Sequence, residues 1–157
     1  MQSAPSNLKK LYEVERLVAL VLGISFLAVG IAGFIPGFVS LPAGASGSVP
    51  PLAFNDGYGN VLGLFPTNYL HNAVHIVVGL LGIAAATSFG GALVYNQLFA
   101  ISYIAIAVMG LLPITNTTFG VMPIFGNNVW FNALTGLIAG YFGFIKPAKM
   151  TDPAANI

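Results

Sequence analysis

The feature that most constrains this chain is the near-absence of charged residues along most of its length. Between Leu17 and Ile145 the only residue with a formal charge is Asp56. Charged residues make up 6% of the 157 residues and hydrophobic residues 57%, whereas soluble domains contain about 25% charged residues. Such a sequence predicts a membrane protein whose main partner is the lipid bilayer.

Composition also argues against several classes of function. The formal net charge is only +1, so we expect no nucleic-acid partner. The chain has no cysteine, which excludes disulfides, thiolate metal sites and cysteine nucleophiles. Because the sequence also shows no catalytic triad, paired carboxylates or phosphate-binding loop, we do not expect an enzyme.

Four apolar runs predict an all-α membrane domain with four transmembrane helices over about residues 14–146. Proline and glycine punctuate the runs: Pro36 and Gly37 end the first, and Pro66 stands at the start of the second. The predicted spans are about 14–35, 67–87, 92–112 and 127–145. Residues 1–13 are a polar amino-terminal segment, and residues 147–157 are a carboxyl-terminal tail.

The basic residues predict how the chain is oriented. All of them lie near the two ends: Lys9, Lys10, Arg16, Lys146 and Lys149. Four spans place both ends on one side, and the positive-inside rule makes that side the cytoplasm. Both termini are therefore expected to be cytoplasmic, with the 37–65 and 113–126 loops facing outward.

The chain shows an internal repeat of two tandem helical hairpins. Residues 24–28 align without gaps with residues 101–105. In the second helix of each half, Asn68 aligns with Asn128 and Asn72 with Asn132, whereas His71 and His75 align with Phe131 and Thr135. Each half has two spans, so the halves are expected to share one orientation.

The most polar stretch in the apolar region begins the second span. Asn68, His71, Asn72 and His75 have i, i+3, i+4 and i+7 spacing, which predicts one polar helix face. The matching positions of the fourth span complete a predicted polar pocket: Asn128, Asn132 and Thr135.

The chemistry of this pocket is left open by the sequence. A neutral imidazole at His71 or His75 could be the axial ligand of a tetrapyrrole such as chlorophyll, or could relay protons. Alternatively, the histidines hydrogen-bond across helices to the polar residues of the fourth span. No metal site is predicted, because Asp56 is the only acid outside the two ends.

Residues 63–75, followed by Gly79 and Gly82, resemble the bacterial family of domain of unknown function 4383. The resemblance covers nearly the whole chain, and its clearest element is the Phe-Pro-x-Asn-x-x-His-Asn-x-x-His pattern over 65–75. It implies a small four-helix membrane protein that occurs widely in bacteria, including cyanobacteria, and so a location in a bacterial inner (plasma) membrane or a thylakoid membrane. It also implies that His71, Asn72 and His75 are family features, but it supplies no activity.

Three functions remain as hypotheses. The first is an accessory or assembly subunit that docks on a larger membrane complex; in a cyanobacterium this could be a photosystem, with a chlorophyll near His71 and His75. The second is a small transporter or channel that uses the polar faces of spans two and four. The third is a quinone or lipid pocket in which His75 donates a hydrogen bond. Residues 76–86 and 136–145 carry no polar side chains on the polar faces of spans two and four. A pocket of half the bundle's depth is therefore favoured over a channel.

Overall fold

The computed structural model describes the backbone of residues 6–41 and 51–145, and the side chains of this region from residue 14 onward. Residues 1–5 of the predicted polar segment and the predicted 147–157 tail lie outside the described residues. The elements in chain order are α1 (Ser6–Ala32), a 3-10 turn (Pro36–Phe38), β1 (Val39–Ser40), β2 (Gly59–Val61), β3 (Phe65–Thr67), α2 (Tyr69–Ala85), α3 (Phe89–Leu111), α4 (Asn127–Gly140) and a π-helical turn (Tyr141–Ile145).

The helices match a membrane protein in length and composition. Three of the described helical segments are long and apolar enough to cross a bilayer: Val14–Ala32, Phe89–Leu111 and Asn127–Ile145. The fourth, Tyr69–Ala85, is apolar but has only 17 residues. The mostly helical fold and its membrane-like helices are therefore confirmed, whereas a fourth span stays a prediction.

The first helix is longer than the span that it contains. The candidate span begins at Val14, as we predicted, but helix α1 already starts at Ser6 and continues unbroken to Ala32. The predicted boundary followed the onset of hydrophobicity, but a helix depends on its own backbone hydrogen bonds and continues through polar residues that favour helix. The helix ends three residues before the expected residue 35, and the turn after Ala32 leads to the 3-10 turn at Pro36.

The predicted 37–65 loop contains strands, so the fold is mostly helical rather than all-α. The three short strands form an antiparallel sheet in the order β1-β2-β3. Val61 pairs with Val39 on one side and with Phe65 on the other. Leu62 and Gly63 have positive φ angles of 55° and 70° and form the tight turn between β2 and β3. The end of the molecule that carries this sheet and the 112–126 segment is called the loop end below.

The helices pack as two hairpins, α1 against α2 and α3 against α4, and the hairpins meet mainly through α1 and α3. Glycine allows the first pair to approach closely, because a Cβ built on Gly79 would lie 2.5 Å from the backbone nitrogen of Leu27. At mid-bundle, the fully buried Phe26 ring packs edge-on against Phe99 and Tyr103 at centroid distances of 5.1 and 4.9 Å. This aromatic core fills the centre of the protein.

Candidate functional site

The predicted pocket residues gather at the loop end of the bundle. Each is less than 9% exposed: Asn68, His71, Asn72, His75, Asn128, Asn132 and Thr135. Buried polar groups in an apolar protein need hydrogen-bond partners. The hydrogen-bond partners of each side chain therefore show which residues stabilise the fold and which keep a polar atom free to bind a ligand.

Asn68 does not belong to the helix face on which we placed it. It is the N-cap of α2, in an extended conformation, and its side-chain oxygen accepts a 2.8 Å hydrogen bond from the backbone N–H of His71. Its amide group donates to the carbonyls of Phe54 at 2.7 Å and Val121 at 2.9 Å. The helical-spacing prediction failed here because α2 begins at Tyr69 rather than at about residue 67, and Thr67 lies in strand β3.

The Asn128 amide makes contacts of the same kind in the second half, although Asn128 lies inside α4, whose N-cap is Gly126. This amide donates to the carbonyl of Pro66 at 2.7 Å and to that of Pro123 at 3.1 Å. Asn68 and Asn128 thus each bind one carbonyl in the loop of their own half and one in the loop of the other half. This reciprocal pair is called the asparagine clasp below.

Asn72 and Thr135 are also satisfied by nearby groups. The Asn72 amide donates to the Gly33 carbonyl at 2.8 Å, and its oxygen accepts from the Thr67 hydroxyl. The Thr135 hydroxyl donates to the Phe131 carbonyl, one turn back on its own helix, at 2.6 Å. Within the described part of the chain, no hydrogen bond joins either histidine to Asn128, Asn132 or Thr135. The cross-helix hydrogen bonds that we considered for the histidines are therefore not formed.

The two histidines differ from the asparagines because each retains an unpaired ring nitrogen. The imidazoles of His71 and His75 lie with their centroids 4.4 Å apart. His71 faces the backbone carbonyls of Pro66 and Pro123, and the edge of the His75 ring meets Phe26 at 4.9 Å. The Nδ1 atoms of both rings are buried and have no hydrogen-bond partner within the described residues.

A cavity of about 60 Å³ adjoins both histidines. Its walls are His71, Val74, His75, Tyr103, Ile106, Met109, Thr118, Met122, Ile124 and Asn132. The volume suits about two water molecules, whereas pockets for organic ligands measure about 300–1,000 Å³. This volume is below that of pockets for organic ligands, so the geometry does not favour a chlorophyll macrocycle or a quinone ring beside these imidazoles.

The sequence interpretation missed polar residues at the opposite end of the bundle. Glu15 and Asn96 are 1% and 0% exposed, and the Asn96 amide donates to the Glu15 carbonyl at 3.1 Å. Nearby, the Gln97 amide donates to the Gly143 carbonyl at 2.9 Å. The adjacent Asn96 and Gln97 inside an apolar run were a readable signal of this contact. The two methionines of the cavity, Met109 and Met122, were also missed, since an apolar residue in an apolar chain gives no signal.

A family model described as a domain of unknown function, DUF4383, matches residues 16–145. The chain belongs to this family. The match confirms the resemblance. It covers the bundle from residue 16 onward, including both histidines and the asparagine clasp. No curated protein matches the chain, and no solved structure matches it. Within the described residues, no three His, Cys, Asp or Glu side chains come together as a metal cluster.

Proposed function

We propose that this DUF4383 protein is a non-enzymatic, four-span membrane protein that docks laterally, as an accessory or assembly subunit, on a helix of a larger membrane complex. The observation that carries the proposal is an apolar groove of about 540 Å³ along the seam of α3 and α4. The groove is lined by Ala100, Ile101, Ile104, Ala105, Gly136, Leu137, Gly140, Tyr141, Phe144 and Ile145.

The residues of the groove suit a helix as the occupant. Gly136 and Gly140 are spaced four apart and face Ile104 and Ala100 of α3, so these small residues let α3 and α4 approach closely and leave a groove along their seam. Exposed large side chains flank them, with Ile101 61% and Leu137 64% exposed. Because lipid solvates apolar side chains as well as protein does, association in a membrane depends on close packing of this kind.

Packing supports the fourth span. The 17 residues of α2 extend about 25 Å, close to the hydrocarbon thickness of about 30 Å. Because α2 lies against α1 through Gly79, it occupies the same depth as a helix that is long enough to cross. The asparagine clasp supports the two-hairpin repeat, since the aligned Asn68 and Asn128 each donate to one carbonyl in either half of the chain. The basic ends favour cytoplasmic termini in a bacterial inner or thylakoid membrane.

A pair of matched substitutions tests docking. Ala105 lies exposed in the groove, and Ala28, its partner in the repeat alignment, lies exposed on α1. Ala105→Leu fills the groove without entering the core, so we expect it to release the protein from a large complex on native gels of mildly solubilised membranes. Ala28→Leu should leave the complex intact. A wild-type protein that migrates alone, or equal behaviour of the two variants, would contradict the proposal.

A photosystem is one candidate for the partner complex. Because the histidine cavity is too small for a macrocycle, chlorophyll bands in the isolated complex would have to come from the partner. The absorption spectrum of the purified complex, with and without this subunit, checks this point: unchanged pigment content per partner is expected.

The second candidate function is that of a small transporter or a ligand-binding pocket protein that uses the histidine cavity. The polar side chains occupy the loop-end half of the bundle, and the aromatic core of Phe26, Phe99 and Tyr103 fills the space beyond them. This arrangement favours a small pocket rather than a channel. Proteoliposomes that conduct small ions at a rate abolished by His75→Ala would favour transport instead.

A further inference from the structure

We infer that the histidine cavity is a binding site for a soft monovalent metal ion, Cu(I), coordinated by His71, His75, Met109 and Met122. This inference concerns the bundle interior and goes beyond the docking function proposed for the outer groove. It depends on how the structure brings together four residues from α2, α3 and the segment before α4.

The donor atoms select the metal. Both histidines of the chain line this cavity, and so do both methionines of the described residues. Thioether sulfur favours Cu(I), and imidazole binds copper readily, whereas Mg²⁺ and Ca²⁺ need oxygen ligands. No carboxylate lines the cavity. Burying an ion in an apolar interior costs free energy, because the neutral donors do not cancel its charge. This cost is smallest for an ion with a single positive charge.

The surroundings of His71 favour the tautomer that a metal ligand needs. Its ring faces the carbonyls of Pro66 and Pro123 while its Nδ1 atom has no partner, an environment that favours the proton on Nε2. A proton held on Nε2 leaves the lone pair on Nδ1. Metal-binding histidines almost always donate their second ring N–H to a carbonyl, a carboxylate or water, which fixes the tautomer in this way.

The dimensions suit one ion shared between the rings. The His71 and His75 centroids are 4.4 Å apart, and metal–imidazole bonds of about 2 Å allow one ion to reach a nitrogen of each. Both rings are at least nine-tenths buried, and the Nδ1 atom of His75 is unpartnered like that of His71. A cavity of about 60 Å³ accommodates an ion and the small shifts that coordination needs.

A strained turn borders the cavity. Thr118 and Phe119 have positive φ angles of 51° and 56°, a conformation that costs about 1–2 kcal/mol in residues other than glycine. The Thr118 hydroxyl donates to the Met122 carbonyl at 3.2 Å. Strain of this kind concentrates at ligand sites. Three residues of the cavity wall are only half-buried: Met109, Thr118 and Met122.

The test is a titration of the detergent-purified full-length protein with Cu(I) under ascorbate, with bicinchoninate as the competing chelator. We expect one Cu(I) per chain, and an X-ray absorption spectrum with both nitrogen and sulfur neighbours. Met109→Leu with Met122→Leu keeps side-chain volume, so it should preserve the fold, remove the sulfur neighbours and weaken binding roughly tenfold or more. Met150→Leu makes the same chemical change elsewhere in the sequence and should leave binding unchanged.

Two results would overturn the inference. One is a wild-type protein that loses all its Cu(I) to the chelator, which would mean that the cavity holds only water. The other is equal Cu(I) affinity in the wild type, the double methionine variant and His71→Gln with His75→Gln, which would place bound copper outside the cavity. Unfolding of each variant, followed by circular dichroism without metal, shows that the variants are folded. Copper should raise the melting temperature of the wild type alone.

Discussion

The asparagine clasp makes a quantitative prediction about stability. Asn68→Ala removes the N-cap of α2, worth about 1 kcal/mol. It also removes two donated hydrogen bonds, to Phe54 and Val121, worth about 1 kcal/mol each. We therefore expect Asn68→Ala to lower the free energy of unfolding by about 3 kcal/mol. Asn68→Ser keeps a cap oxygen but cannot reach both carbonyls, so the expected loss is about 2 kcal/mol.

Variants of Asn128, the second residue of the clasp, and of its neighbour Asn127 provide the comparison for Asn68→Ala. Asn128→Ala loses the bonds to Pro66 and Pro123 without affecting a cap, so we expect a loss of about 2 kcal/mol. Asn127 also bonds to the other half, through the Leu64 carbonyl at 3.0 Å, but it is exposed. Asn127→Ala should change stability by about 0.5 kcal/mol or less and serves as the matched control.

The assay is reversible unfolding in mixed micelles of mild detergent and dodecyl sulfate, followed by far-ultraviolet circular dichroism. The reasoning is refuted if Asn68→Ala is no more destabilising than Asn127→Ala. Equal stability of Asn68→Ser and the wild type would show that the two carbonyl contacts contribute nothing. Equal stability of Asn68→Ser and Asn68→Ala would show that the cap contributes nothing.

A double-mutant cycle tests the reciprocity of the clasp. Asn68 and Asn128 tie together the same two loops, so removing one should loosen the loop that the other binds. We expect the loss in Asn68→Ala with Asn128→Ala to fall short of the sum of the single losses by about 1 kcal/mol. Strict additivity would mean that the two side chains act independently.

Three further substitutions can be measured in the same unfolding assay. Gly79→Ala should cost about 1–3 kcal/mol, because its Cβ would lie 2.5 Å from the Leu27 backbone nitrogen, and an unchanged stability would contradict the close approach of α1 and α2. Gly90→Ala, where a Cβ meets nothing within 4 Å, should leave stability unchanged or raise it by up to about 1 kcal/mol. Phe119→Gly removes an exposed side chain held at φ 56° and should raise stability by about 1 kcal/mol; a loss would show that the ring makes contacts that outweigh the strain.

The helices could be predicted from the sequence because their signal is local. The absence of charge and the positions of proline placed the third and fourth helices within three residues of their observed ends. The sheet could not be predicted in this way. Its strands have two or three residues each, and Val39 pairs with Val61, across a long segment of Gly, Pro and Ser. No local periodicity specifies such a pairing.

The candidate site could be predicted only in part, because some of its contacts are local in the sequence and others are not. Helical spacing correctly grouped His71, Asn72 and His75, which are all buried, but it could not identify what they face. The partners of the asparagines are backbone carbonyls in distant loops, and a carbonyl has no sequence signature. Met122 lines the cavity because the segment after α3 folds back over the bundle, whereas Met109 lines it from α3 itself.

The hydrogen bonds of the loop end separate two roles for polar residues in an apolar bundle. Irregular backbone at membrane depth is tolerated only where its carbonyls find donors inside the protein. Asn68, Asn72 and Asn128 supply those donors, so their burial is explained by the fold alone. The Nδ1 atoms of His71 and His75 do not bind the backbone. They have no hydrogen-bond partner within the described residues. The copper site proposed above depends on these two nitrogens, and we expect variants of the asparagines to change stability before they change binding.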